Sequence, residues 1–85
     1  MTPFTVEWET PAEDELCRLW MQTNDPAAVT RSQAQIDQLL AHDPLGNGKH
    51  MSEGLYAIDV APLRANYTVN AKQRHAKVSW VKVMP

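Results

Sequence analysis

Three strand-like runs follow one another at short spacing in the second half of the chain, and this feature constrains the fold most. The runs cover residues 54–60, 63–70 and 76–83. Apolar side chains occupy alternate positions of the middle run, which is the period of a strand with one buried face: Leu63, Ala65, Tyr67 and Val69. The links at residues 61–62 and 71–75 are too short for a crossover connection. The runs are therefore expected to form an antiparallel meander.

The chain begins with a pattern that predicts one strand and one helix. Residues 4–9 alternate apolar and polar side chains, which predicts a half-buried strand. Apolar residues then recur at helical spacing and predict an amphipathic helix over residues 11–22. Thr10 is the expected N-cap of this helix, and Glu13 would complete a capping box.

A second helix and a loop connect these elements to the meander. Asp25 is expected to cap the second helix, with Pro26 just inside it and Pro44 ending it. Residues 44–52 are expected to form an irregular loop. The predicted order is strand–helix–helix–strand–strand–strand. Since the helices need an apolar surface, we expect a two-layer α+β domain in which the antiparallel meander packs on a helical hairpin.

The length and the cysteine content limit the classes of protein to consider. Residues 1–85 are expected to form one domain. No apolar run approaches the ~20 residues of a membrane helix, and the first four residues do not resemble the start of a signal peptide. Cys17 is the one cysteine, so no internal disulfide can form and a reducing cytoplasm is the expected location. Cys17 is interpreted as a structural thiol.

Charge is distributed unevenly between the two halves of the chain. Residues 1–43 contain eight acidic and two basic residues, whereas residues 44–85 contain two acidic and six basic residues. The C-terminal half would therefore present a basic surface to an acidic partner, or the two halves would neutralise each other within one small domain. Charge alone favours the second interpretation.

The large aromatic side chains are expected to serve packing. The set placed in or near the core is Trp8, Trp20, Tyr67 and Trp80. In the last run, strict alternation places Trp80 on the inward side with Ala76 and Val78, and it places Val81 on the other side. A base-stacking role for these aromatics is the less favoured interpretation.

Four segments resemble the RelE/ParE superfamily of bacterial toxins. They are VEW at 6–8 followed by PAEDEL at 11–16, IDQLLAHDPL at 36–45, PLRANYTV at 62–69 and VSWVKV at 78–83. The resemblance covers nearly the whole chain and rests on element order together with these patterns.

The resemblance implies a RelE/ParE-like α+β fold and the toxin role in a type II toxin–antitoxin system. The expected partner is a cognate antitoxin. The protein is expected to bind neither a membrane nor a cofactor. RelE-like members cut messenger RNA on the ribosome without a metal, whereas ParE-like members poison DNA gyrase without nucleolytic chemistry. Three hypotheses stay open: an endoribonuclease, a gyrase inhibitor, and a non-catalytic homologue that only binds an antitoxin-like partner.

The resemblance places the expected catalytic residues on two strands. Arg64 matches the arginine of the family's central strand, where it would bind the scissile phosphate, and Lys82 on the last strand would assist. The alternative for Arg64 is a solvated arginine paired with a neighbouring acid. Two departures weaken the nuclease hypothesis: Ala57 and Asp59 stand where ribonucleases of the family carry bases, and residues 83–85 lack the family's arginine and tyrosine or histidine.

The expected antiparallel register divides the basic residues into two clusters. Arg64 and Lys82 are expected at one end of the sheet. A secondary basic cluster is expected at the other end and contains Lys49, His50, Lys72, Arg74 and His75. Its two histidines make it a second candidate for acid–base catalysis, although solvated turn residues are the favoured interpretation. No metal site is expected, since His42, Asp43 and His50 lack the spacing of a known site.

Overall fold

The computed structural model describes residues 3–84, so Met1, Thr2 and Pro85 lie outside the described residues. The elements in chain order are β1 (Thr5–Trp8), α1 (Thr10–Gln22), α2 (Pro26–His42), β2 (Lys49–Ser52), β3 (Leu55–Val60), β4 (Leu63–Asn70) and β5 (His75–Val83). Both helices lie on the same side of the sheet. The predicted α+β class with two layers is confirmed, as are the two helices and the meander of the last three strands.

Over residues 3–84 the sheet has five strands instead of the four that the sequence predicts. Its order is β1-β5-β4-β3-β2, with β1 parallel to β5 and the other pairs antiparallel. The additional strand is β2, in the segment that was expected to be a loop. All four residues of β2 are exposed. Because no apolar alternation marks such a strand, only its backbone pairing with β3 reveals it.

The first helix has a different N-cap residue from the one expected, whereas the second helix starts as predicted. The N-cap of α1 is Glu9, without a side-chain cap bond, so the capping box of Thr10 and Glu13 is wrong. In α2 the carboxylate of Asp25 accepts a hydrogen bond from the amide of Ala28, and Pro26 is the first helical residue. Within residues 3–84 neither helix has the length and apolar content needed to cross a membrane.

The core lies between the helices and the inward face of the sheet. Its fully buried large side chains include Ile36, Leu40, Leu63, Tyr67, Val78 and Val81. Tyr67 stacks on Tyr56, and its hydroxyl donates a 2.5 Å hydrogen bond to the carbonyl of Pro44. Burial, followed by the charges of Tyr56 and Asp43, raises the pKa of Tyr67 to about 12. Tyr67 therefore joins the sheet to the segment that follows α2.

Two of the four aromatic side chains expected in or near the core are instead exposed. Tyr67 is buried and Trp8 packs against the core, as predicted. Trp8 also donates a 2.6 Å hydrogen bond from its ring nitrogen to Asp37. Trp20 on α1 is 48% exposed and Trp80 on β5 is 46% exposed, so the prediction that they pack in the core is wrong.

A β-bulge in β5 explains the position of Trp80. Tyr67 pairs with Val78 and Asn66 pairs with Trp80, which leaves Ser79 as one extra residue. One extra residue reverses which side chains face inward beyond it. Val81 is consequently buried and Trp80 faces outward, the reverse of the alternation that the sequence predicts.

We expect Gly48→Ala to destabilise the fold by about 1–3 kcal/mol, because a new methyl group would overlap a buried side chain. A Cβ atom at Gly48 would lie 1.7 Å from the hydroxyl oxygen of Tyr67 and 3.1 Å from the carbonyl oxygen of Ala57. Urea unfolding monitored by circular dichroism measures the loss. Gly46→Ala is the matched control and should cost less, since its Cβ would displace only the exposed carboxylate of Asp43 and the surface hydrogen bond that this carboxylate accepts from the Gly46 amide. Equal stability of the two variants would contradict the prediction.

Candidate functional site

A groove of about 520 Å³ lies on the face of the sheet that the helices leave open. Strands β2 to β5 and the segment before β2 line it, through Asn47, Gly48, Lys49, Met51, Ala57, Ile58, Asp59, Arg64, Asn66 and Lys82. Alternate residues of each strand point to this face, and the others form the core. The groove is therefore a direct product of the same alternation that builds the interior.

The register of the sheet arranges the outward side chains in two neighbouring rows. In the first row, Arg64 pairs with Asp59 on one side and with Lys82 on the other. The second row lies two residues along each strand and runs across all four strands as Lys49, Ala57, Asn66 and Trp80. The rows are about 7 Å apart, from the rise of two residues in a strand.

Arg64 forms a bidentate ion pair with Asp59. Its Nε donates to one carboxylate oxygen at 2.6 Å, and its Nη2 donates to the other at 3.0 Å. The hydrogen bond and charge of Arg64, together with the charges of Lys49 and Lys82, lower the pKa of Asp59, while Asp59 raises the pKa of Arg64. Both side chains remain more than a third exposed. The pair is therefore a surface contact of small net energy, which another anion can replace.

Lys49 and Lys82 place two more positive charges at the groove. The structure puts Arg64 and Lys82 side by side, in agreement with their expected grouping. It also puts Lys49 opposite Ala57, so the prediction that Lys49 belongs to the far cluster is wrong. Neither lysine forms an ion pair among residues 3–84. Three cations thus surround one carboxylate, because β2 supplies a base beside the position where β3 has alanine.

The remaining residues of the secondary basic cluster make separate local contacts. His50 lies edge-on against the ring of Tyr56 at 5.2 Å. The guanidinium of Arg74 lies over the ring of Phe4 at 4.9 Å, and His75 lies 3.2 Å from the carboxylate of Glu7. Lys72 is exposed in the turn between β4 and β5. These side chains do not line the groove, and no group of three potential metal ligands converges within the described part of the chain.

The chemistry of the groove is that of an anion-binding surface. Arginine offers a planar fork for two phosphate oxygens, and the lysines add point charges. General acid–base catalysis works best with a group whose pKa lies near the working pH. Among the described residues, the groove lining includes no histidine, cysteine or tyrosine, and its one carboxylate has a lowered pKa. The groove can therefore bind a phosphate and stabilise negative charge, but its lining offers no obvious proton carrier.

The sequence interpretation missed two contributors to this face, Trp80 and Lys49. Strict alternation assigns Trp80 to the core, and the unrecognised strand β2 hides the register of Lys49. A signal for the bulge does exist in β5. The apolar residues Ala76, Val78 and Val81 are spaced by two and then three positions in the sequence, which is what one inserted residue produces, and the structure buries all three.

No family model and no curated protein sequence matches this chain. Solved structures do match it along nearly its whole length. A chain of the toxin–antitoxin complex RelBE2 from Mycobacterium tuberculosis is 21% identical, with a TM-score of 0.83 over 99% of this chain and 94% of that chain.

Two further structures show that the likeness includes both RelE and ParDE proteins. The isolated RelE toxin of E. coli is 14% identical, with a TM-score of 0.68 over 96% of this chain and 85% of that chain. A chain of the chromosomal ParDE toxin–antitoxin system from P. aeruginosa is 12% identical, with a TM-score of 0.73 over 96% of this chain and 97% of that chain. The protein therefore has the fold of the RelE/ParE toxins.

Proposed function

We propose that this protein is the toxin of a type II toxin–antitoxin pair and that it cleaves messenger RNA on the ribosome in the RelE manner. The proposal is carried by one observation: a chain with the RelE fold over nearly its whole length gathers Arg64, Lys82 and Lys49 in one groove on the open face of its sheet. A phosphate backbone complements this concentration of positive charge.

In the proposed reaction the 2′-hydroxyl of the RNA attacks the adjacent phosphorus and the bond to the 5′-oxygen of the next nucleotide breaks. Arg64 binds the scissile phosphate and Lys82 assists, so both stabilise the charge of the five-coordinate transition state. A base must remove the proton of the 2′-hydroxyl, and an acid must protonate the leaving oxygen. The groove supplies the cations, and the proton transfers fall to groups outside its lining.

Translation in vitro tests this activity. The purified protein is added to a translation reaction programmed with a defined messenger RNA, and the RNA ends are mapped by primer extension. Cuts that require both the protein and ribosomes support the proposal. Intact messenger RNA at an excess of protein contradicts it.

A ParE-like gyrase inhibitor is the second candidate. It is favoured by the lack of a proton carrier in the groove lining described above, because a protein that inhibits by binding requires none. A gyrase supercoiling assay with the same preparation separates the two candidates. Inhibited supercoiling with intact messenger RNA would support the gyrase inhibitor, and unaffected supercoiling with cut RNA would support the ribonuclease.

An antitoxin partner, encoded by a neighbouring gene and present in the same cytoplasm, is part of the proposal. Trp20 and Met21 at the end of α1 are 48% and 73% exposed. The short edge strands β1 and β2 also offer unpaired backbone to an added chain. Co-expression with the adjacent reading frame, followed by affinity purification of a tagged copy, tests the partner. Recovery of the tagged protein alone would contradict the toxin proposal.

Asp59→Asn is expected to tighten binding of single-stranded RNA about two- to fivefold, because the ion pair that occupies Arg64 is exposed and therefore weak. The substitution removes the carboxylate that competes with phosphate for the guanidinium. Fluorescence anisotropy with a labelled RNA measures the dissociation constant, and the gain should shrink at high salt. Glu7→Gln is the control, since it also removes an exposed carboxylate but lies next to His75, outside the groove. Equal affinities of the two variants would contradict the prediction.

A further inference from the structure

Trp80 is a large aromatic side chain on the groove side of the sheet, outside the hydrophobic core. It is 46% exposed, whereas Val78 and Val81 on either side of it are fully buried. These two valines anchor β5 to the core through their own side chains. About half of the surface of Trp80 is therefore open to a ligand, although its neighbours are buried.

The bulge that turns Trp80 outward is built into the sheet. The extra residue Ser79 donates a hydrogen bond from its hydroxyl to the carbonyl of Asn66 at 3.3 Å. Asn66 is also the residue that pairs with Trp80 across β4 and β5. The indole is thus presented at a fixed place in the second row, beside an amide that both donates and accepts hydrogen bonds.

The groups around Trp80 complement the parts of a nucleotide. Lys82 lies two residues along β5 and points to the same face, at a Cα separation of about 7 Å. Arg64 is the cross-strand neighbour of Lys82. A phosphate held between these two cations would leave its own or an adjacent base within reach of the indole.

We propose that Trp80 is a stacking platform for an unpaired nucleobase of single-stranded RNA, an inference that rests on the proposed RNA-binding function of the groove. Aromatic side chains bind unpaired bases by stacking, with little sequence preference, where a basic surface holds the backbone. Asn66 is placed to hydrogen-bond the edge of the stacked base. The positive charge around Trp80 favours RNA over an apolar peptide as the occupant.

The test compares tryptophan variants in RNA binding. We expect Trp80→Ala to weaken binding of a short fluorescent single-stranded RNA about five- to 150-fold, the range for loss of one base–aromatic stack. Trp80→Phe should retain part of the affinity because it keeps an aromatic face. Trp20→Ala is the matched control, since Trp20 is equally exposed but lies on α1. Urea unfolding of each variant verifies that the fold is intact.

A second part of the experiment separates the contribution of the base to RNA binding from that of the phosphate backbone. The same RNA carrying an abasic nucleotide is titrated, with the abasic position moved along the strand. Wild-type protein should lose affinity at one position, and Trp80→Ala should lose nothing further there.

The outcomes distinguish the stacking site from the groove. In one outcome, Arg64→Ala abolishes RNA binding, whereas Trp80→Ala binds RNA as tightly as the wild-type protein and the abasic RNAs bind as tightly as unmodified RNA. The proposed stacking site is then wrong, and the groove remains the RNA-binding site. If the wild-type protein binds no RNA, both proposals are overturned. If Trp80→Ala releases a co-purifying protein and leaves RNA binding unchanged, Trp80 belongs to a protein interface and the inference fails.

Discussion

Alanine in place of Tyr67 is expected to lower the free energy of unfolding by about 3–5 kcal/mol, the usual cost of removing a buried aromatic ring. Tyr67 is fully buried at the centre of the core and stacks on Tyr56. Domains of this size are stable by only about 4–13 kcal/mol, so the variant should lie close to its unfolding threshold.

Urea unfolding with matched variants separates the contributions of Tyr67. Tyr67→Phe keeps the ring but leaves the carbonyl of Pro44 without its hydrogen bond, and it should cost about 1–3 kcal/mol. Thr68→Ala is the control on the same strand. Thr68 is exposed, so its change should stay within about 0.5 kcal/mol. A Tyr67→Ala variant as stable as Thr68→Ala would refute the assignment of Tyr67 to the centre of the core.

Arg64→Ala is expected to slow ribosome-dependent cleavage of messenger RNA on the order of 100-fold, the loss typical when a preorganised group that stabilises transition-state charge is removed. The substitution also leaves Asp59 in the groove without its partner, which weakens the local attraction for phosphate. Fold stability should change little because the ion pair is exposed. Quantitative primer extension over time measures the cleavage rate.

Two further variants make the Arg64 test specific. Arg31→Ala removes the same charge from the exposed surface of α2 and should cleave at the wild-type rate. Arg64→Lys keeps the charge but loses the planar fork, so an intermediate rate is expected. Cleavage by Arg64→Ala at the rate of Arg31→Ala would remove Arg64 from the reaction.

The elements predicted correctly are those whose own side chains carry a periodic pattern. Alternating apolar residues define β4, and the inward set from Leu63 to Val69 is confirmed. The antiparallel pairing of the meander strands is also confirmed, and Val69 pairs with Ala76 beside the β4–β5 turn, where a short link fixes the register. Asp25 and Pro26 gave a reliable helix start since both act within one turn of the chain.

The errors share a different physical origin, in contacts between distant segments. The strand β2 exists because β3 offers it an edge, and its exposed side chains leave no pattern to detect. The bulge at Ser79 depends on pairing with Asn66 and Tyr67 in another strand. These two features place Lys49 in the groove and Trp80 beside it, on the same face of the sheet. The predicted part of the site was therefore limited to the cations on the strongly patterned strands, while the roles of Arg64 and Lys82 stay predictions.

The parallel pairing of β1 with β5 has a consequence for the timing of folding during synthesis. Thr5 pairs with His75, so the sheet joins a strand that is synthesised early to a strand that is synthesised about 70 residues later. Contacts between residues so far apart form late and slow the folding rate. The groove also depends on β5 for Lys82, and the same strand carries Trp80 beside it. A nascent chain that has not yet exposed residues 75–83 outside the ribosome therefore has neither a complete sheet nor an assembled groove.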